Sequence, residues 1–169
     1  MSNTTRPLGF RPKNIKNATV TQYPVTAAQV IVVGDVLSMD SAGSLVIGAG
    51  GPIIGVAASN VIDPDTGLVK ATAEAGDTIG VWDDPNEVFV GQISSYAATD
   101  PYTTRSSGAC YDVAGTTGVQ YINAAAHSQD AFKIRCLAWE ENGKKSVAGD
   151  YAKVEFRINN LKHVYGVIA

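Results

Sequence analysis

An all-β fold follows from three features of the sequence. Apolar and polar residues alternate with period two in the C-terminal third, turn signals recur about every eight to twelve residues, and Gly, Thr and Val are abundant. The expected architecture is an antiparallel β-barrel or β-sandwich domain with an extended N-terminal arm and little helix. The chain has 169 residues, 45% of them hydrophobic and 17% charged. That is enough for one domain with a core that needs no disulfide or metal staple.

The arm comes first, over residues 1–17. MSNTTRPLGFRPKNIKN contains Pro7, Pro12 and Gly9 and shows no helical periodicity, so it is expected to be extended. Leu8, Phe10 and Ile15 give it apolar side chains that have to pack on its own body or on a neighbour. It carries Arg6, Arg11, Lys13 and Lys16 and no acid, while the whole chain is at −3. Fully stretched it would reach roughly 55 Å.

Residues 18–169 are read as one β-rich domain. ATVTQYPV (18–25) is β-rich, and QVIVVGDVLSMD (29–40) is an apolar run broken by a glycine. LVI (45–47), IIGVAAS (53–59), LVKATAE (68–74), TIGVW (78–82) and EVFVGQI (87–93) follow, separated by SAGS, GAGGP, DPDTG, AGD and DDPN. VIVV (30–33), PIIGVAA (52–58) and VFV (88–90) are apolar on both faces, which suggests a closed barrel or a face buried between subunits. Residues 94–112 are a less regular, Ser/Thr-rich insertion; ACYDV and VQYIN then form a hairpin around AGTTG (114–118).

The C-terminal strands are the clearest. In AFKIRCLAW, Phe132, Ile134, Cys136 and Ala138 share a face; in DYAKVEFRIN, Ala152, Val154, Phe156 and Ile158 do. Asn142-Gly143 marks their connection as a hairpin, and antiparallel pairing would bring Lys133 or Arg135 near Glu155. Cys136 is expected as a small buried apolar side chain.

Motifs for chemistry are lacking. No Walker loop or GxSxG elbow is present, and in GAGGPIIG an isoleucine, Ile53, holds the third glycine position of a dinucleotide fingerprint. His127 and His163 are isolated, and Cys110 and Cys136 form no CxxC pair. DPDTG has Asp63, Asp65 and Glu74 at calcium-loop spacing but lacks the fifth ligand and the central glycine, so a turn is favoured. Asp83 and Asp84 in DDPN are adjacent at a proline, again turn chemistry rather than an acid–base pair. No catalytic, cofactor or metal site is therefore assigned, and an enzyme is not expected. Outside the arm the chain is net acidic, which speaks against direct nucleic-acid binding. There is no run of eighteen apolar residues to cross a membrane and no signal peptide, so the protein is expected to stay in the compartment where it is made.

The order of several stretches resembles a known family. A PLGFRP start, a VGD step, GGPIIGVAAS, WDDPNEVFVGQ and a closing GDYAKVEFRINNLKH together look like the capsid decoration proteins of tailed bacteriophages, also called head cement or capsid-stabilising proteins. The resemblance covers Pro7 to about Lys162 and departs at SSYAATDPYTTRSSGACYD, which has no counterpart. It implies a structural virion protein on the exterior of the capsid, made in the host cytoplasm. Its partners would be the major capsid protein and copies of itself, a trimer being favoured over a dimer. Arg6, Leu8, Phe10 and Arg11 would be arm anchors, and Asp83 and Asp84 would meet a neighbour's basic arm. The alternatives are another β-rich phage structural protein (tail, head–tail joint or head-fibre base) and, less favoured, a glycan-binding β-sandwich using Trp82, Trp139, Tyr96 and Tyr102.

Overall fold

A computed structural model describes residues 9–48, 52–94, 110–126, 131–138, 143–147, 149 and 151–159. Among these residues every regular element is a strand. In chain order they are β1 (Arg11–Pro12), β2 (Thr21–Pro24), β3 (Val36–Met39), β4 (Leu45–Ile47), β5 (Ile53–Ala57), β6 (Val61–Ile62) and β7 (Val69–Lys70). There follow β8 (Thr78–Trp82), β9 (Phe89–Ser94), β10 (Cys110–Ala114), β11 (Tyr121–Asn123), β12 (Phe132–Leu137) and β13 (Lys153–Ile158). The all-β class is as the alternation indicated.

The strands form two curled sheets. In the first, the pairing runs β9–β11–β10–β12–β13, and β13 returns to β9, so the path closes on itself; β1 lies along β9. Its pairs are antiparallel except β11 with β9. The second sheet runs β4–β3–β5–β8–β6–β7, with β2 also on β8. A parallel bridge from Val25 to Leu45 joins the end of β2 to β4 and curls this sheet as well. β10 and β11 pair around residues 114–118 as expected, and so do β12 and β13.

Two cores result. Phe89, Ile122, Phe132 and Phe156 lie in the first, together with Val36, Ile53, Val56 and Trp82 from the second sheet. Leu37, Leu45, Ile54, Ile79 and Val81 lie in the other. All of β5 is buried, since one face serves each core. The doubly apolar reading of PIIGVAA therefore has an intramolecular explanation. A bulge opposite Leu37–Ser38 gives β5 one extra residue and lets Ile53 and Val56 face the same core despite their odd spacing.

VIVV differs from expectation. It is a loop in which Ile31 is buried while Val30, Val32 and Val33 are exposed. Cys136 differs too. A bulge after Ile134 inserts Arg135, so Leu137 rather than Cys136 turns inward and the thiol stands half-buried beside Glu155. Burial and the Glu155 carboxylate both push that thiol's pKa up. Glu155 itself pairs with neither Lys133 nor Arg135. Lys133 lies opposite Arg157, and Lys13 supplies the cation, with Nζ 2.9 Å from Glu155 Oε1.

That contact belongs to a larger correction. Phe10, expected to anchor an arm on a neighbour, is a core residue at 1% exposure. Its ring meets Phe132 and Phe156 edge-on at centroid distances of 5.0 and 5.1 Å. It occupies the space left by Gly91, where a Cβ would lie 2.3 Å from its Cδ1. The aromatic payload of an otherwise irregular segment is thus spent within the chain, and residues 10–13 belong to the body.

Candidate interaction surface

Among the described residues, two loops fastened to each other carry four exposed valines, here called the valine platform. Val32 to Asp35 form a turn closed by the Asp35 amide donating to the Val32 carbonyl at 3.0 Å, with Gly34 at φ 95° supplying the left-handed third position. The Asp35 carboxylate is fully buried. It accepts from the Val32 amide at 2.9 Å and, across the fold, from the Gly118 amide at 2.7 Å. Gln120, also buried, accepts from the Val36 amide at 2.6 Å, and the Thr117 hydroxyl donates to the Val30 carbonyl at 3.2 Å. These bonds fasten the loop before β3 to the loop between β10 and β11. Burial raises the Asp35 pKa, and the two amide donors pull it back down.

On this frame Val30, Val32, Val33 and Val119 keep 40–47% of their surface exposed. The Val32 side chain lies against Gly118, next to Val119. Ile31, between them in the chain, turns into the second core and pins the loop. The sequence carried a trace of this arrangement, four consecutive apolar residues without alternation before Gly-Asp. Such a run fits a doubly buried strand; the Asp35 contacts that hold it as a loop arise only in the fold.

Gly9 and Phe10, the first described residues, pack on the same loop. The Phe10 amide donates to the Gly34 carbonyl at 2.8 Å, and Gly9 packs so closely on Gly34 that a Cβ there would sit 2.6 Å from the same oxygen. Arg11 is exposed on β1, while Arg6 and Leu8 lie outside the described residues. Arg11 pairs with Val90 of β9, and Phe10 is not available to a second molecule.

Asp83 and Asp84 are placed as a turn. Asp84 Oδ1 accepts from the Asn86 amide at 2.8 Å, and the Glu87 amide donates to the Asp84 carbonyl at 3.0 Å. Asp83 accepts from the Tyr23 and Thr21 hydroxyls at 2.7 and 3.1 Å. The two carboxylates therefore have separate partners and do not act as a pair. The turn links β8 of one sheet to β9 of the other.

DPDTG caps the β6–β7 hairpin, with Asp63 accepting from the Asp65 and Thr66 amides. Those amides pull the Asp63 pKa down. Asp63 and Glu74 do converge, together with Asp77, but on the Lys70 ammonium at 3.3, 2.8 and 3.0 Å. The cation of this cluster is the chain's own. Among the described residues no group of three or more His, Cys, Asp or Glu is arranged to hold a metal. Trp82 is 5% exposed in the first core and cannot stack on a sugar; Tyr96, Tyr102, Trp139, His127 and His163 lie outside the described residues. Compared with protein families, with curated proteins and with solved structures, the chain has no significant match.

Proposed function

We propose that this chain is a structural virion protein that binds the outer surface of a phage capsid and stabilises the shell of the major capsid protein. The reading starts from the ordered motifs between Pro7 and Lys162. The observation that carries it is the valine platform, four half-exposed apolar side chains on two loops fastened by a buried carboxylate, with Gly34 of one loop packed on Gly9 of the basic segment. Apolar clusters held out to solvent in this way mark contact surfaces. Arg6, Leu8 and Arg11 are the contacts proposed on this side, and Asp83 and Asp84 the acidic contacts for a neighbouring copy. Each contact is weak, and many copies on one shell add up through multivalency.

The test is to add purified protein to heads that lack it, image the particles and count copies. Occupancy approaching the number of capsid subunits, with heads more resistant to heat or osmotic shock, is the expected result. Copies numbering only in the tens would move the protein to the tail or the head–tail joint. Absence of binding would end the proposal.

A further inference from the structure

The outer face of the first sheet gathers positive charge in a chain that is net negative. Phe132, Val154 and Phe156 turn into the first core, so Lys133, Lys153, Glu155 and Arg157 beside them turn out. Arg135, inserted by the bulge, is exposed as well. On the other flank Arg11 lies opposite Val90, and the Lys13 amide donates to the Val88 carbonyl at 2.7 Å. Among the described residues, six of the chain's 13 lysines and arginines therefore share this face, with the half-buried Val88 and Val90 between its two flanks. Glu155 is the acid within it and is already answered by Lys13; Glu87, which acts on Arg157, and the buried Asp112 of β10 stand at the edges. Within the chain the arrangement is unfavourable. Lys133 lies directly opposite Arg157, where like charges repel. The Arg157 Nε is buried without a hydrogen-bond partner, a condition that folded proteins carry at few positions.

The β6–β7 hairpin at the edge of the second sheet has the opposite character. It sends Val61 into the second core and nothing into the first. Residues 63–77 hold four acids, Asp63, Asp65, Glu74 and Asp77, against one cation, Lys70. Leu68 and Val69, 67% and 65% exposed, are the barest large apolar side chains among the described residues. We propose that the basic face of the first sheet receives the β6–β7 hairpin of a second copy of this chain. Asp65 and Glu74 of one copy then meet Lys133, Arg135 and Arg157 of the next, and Leu68 and Val69 cover Val88 and Val90. Charge complementarity selects the hairpin, and arginine suits carboxylates in such contacts. A simple polyanion would satisfy the cations but leave all four apolar side chains bare. The two surfaces lie on different sheets, so the contact is head-to-tail and each copy presents its own hairpin to another. It forms between free chains, does not rest on the capsid reading, and can fail while that reading stands.

Sedimentation of the full chain and two variants tests it. The face variant carries Lys133→Glu and Arg135→Glu; both residues are exposed, and the first change gives Arg157 an acid opposite, so the fold is kept. The hairpin variant carries Asp65→Lys and Glu74→Gln; Asp65 is exposed, and glutamine keeps an oxygen for the Lys70 ammonium. At low salt the mass of the unaltered chain should rise with concentration to two copies or more, and return to one at high salt. Each variant alone should stay at one copy. Their equimolar mixture should reach two copies, because the intact hairpin of the face variant meets the intact face of the hairpin variant. An unaltered chain that stays at one copy, a variant that associates alone as the unaltered chain does, or a mixture that stays at one copy would each overturn the proposal. A chain that stays at one copy and binds duplex DNA, with binding lost in the face variant, would assign the face to nucleic acid and overturn it as well.

Discussion

At the scale of single residues, Phe10 and Gly91 are a matched pair. Phe10→Ala should cost about 3–5 kcal/mol of stability, as loss of a fully buried ring does. Gly91→Ala forces a methyl toward Phe10 Cδ1 and should cost about 1–3 kcal/mol by overpacking. If the two act through one contact, combining Gly91→Ala with Phe10→Leu should cost less than the sum of the single changes, measured by denaturant unfolding. Additive costs would mean that the ring does not fill the Gly91 space. Lys13 is a second test of how far the body extends. Glu155 is buried while the Lys13 side chain is 53% exposed, so Lys13→Met should destabilise by about 1–2 kcal/mol. That is less than the 3–5 of a fully buried pair, because solvent screens the ammonium. An unchanged unfolding midpoint would show that the carboxylate finds other partners.

At the scale of elements, two turns carry predictions. Asp35 has a raised pKa, so its protonated form is favoured in the fold relative to the unfolded chain. Folded protein then binds more protons than unfolded between the ordinary value of 3.8 and the raised one, and stability falls as pH rises through that window. The stability of the protein minus that of an Asp35→Asn variant should decline as pH rises above the ordinary value of 3.8 and level off once the raised value is passed. Urea titrations at stepped pH would read it, and a flat difference would refute it. In the DDPN turn, Asp84→Asn keeps the oxygen that accepts from Asn86. Asp83→Asn keeps one of its two acceptors. The pair of changes should lower stability by no more than about 1 kcal/mol, so weakened decoration of heads at low salt would report their charge. Unchanged decoration would leave DDPN as a turn alone. These elements also show what could be read in advance. β12 and β13 were legible because one face is buried and the period is two, and DDPN and DPDTG because Pro, Gly and Asp set turns locally. Cys136 and Glu155 were misplaced because a bulge, set by packing between strands, shifts the alternation after Ile134. VIVV is a loop and not a strand because Asp35 and Thr117 hold its backbone and Gly118 holds Asp35, partners that only the closed fold brings together.

At the scale of the whole molecule, the two sheets are not independent. Val36, Ile53, Val56 and Trp82 are strand residues of the second sheet, or border it, and yet pack in the core of the first. Their neighbours Leu37, Ile54, Ala57 and Val81 fill the second core from the same strands. β3, β5 and β8 are therefore a shared wall, and opening either core exposes apolar surface in the other. Such a molecule should unfold in one cooperative step. A Val56→Ala change should lower the midpoint seen by fluorescence and the midpoint seen by far-UV circular dichroism by the same amount. The shift should correspond to roughly 1–3 kcal/mol for the lost buried methyl groups and the cavity left behind. Amide exchange adds a local view: protection in β11 and β12, which Val56 does not touch through any strand pairing, should fall together with protection in β4. If the first sheet instead kept its protection while the second lost it, the shared wall would not couple them. The platform, which hangs between the loop before β3 and the loop after β10, would then sit across two bodies rather than on one rigid face.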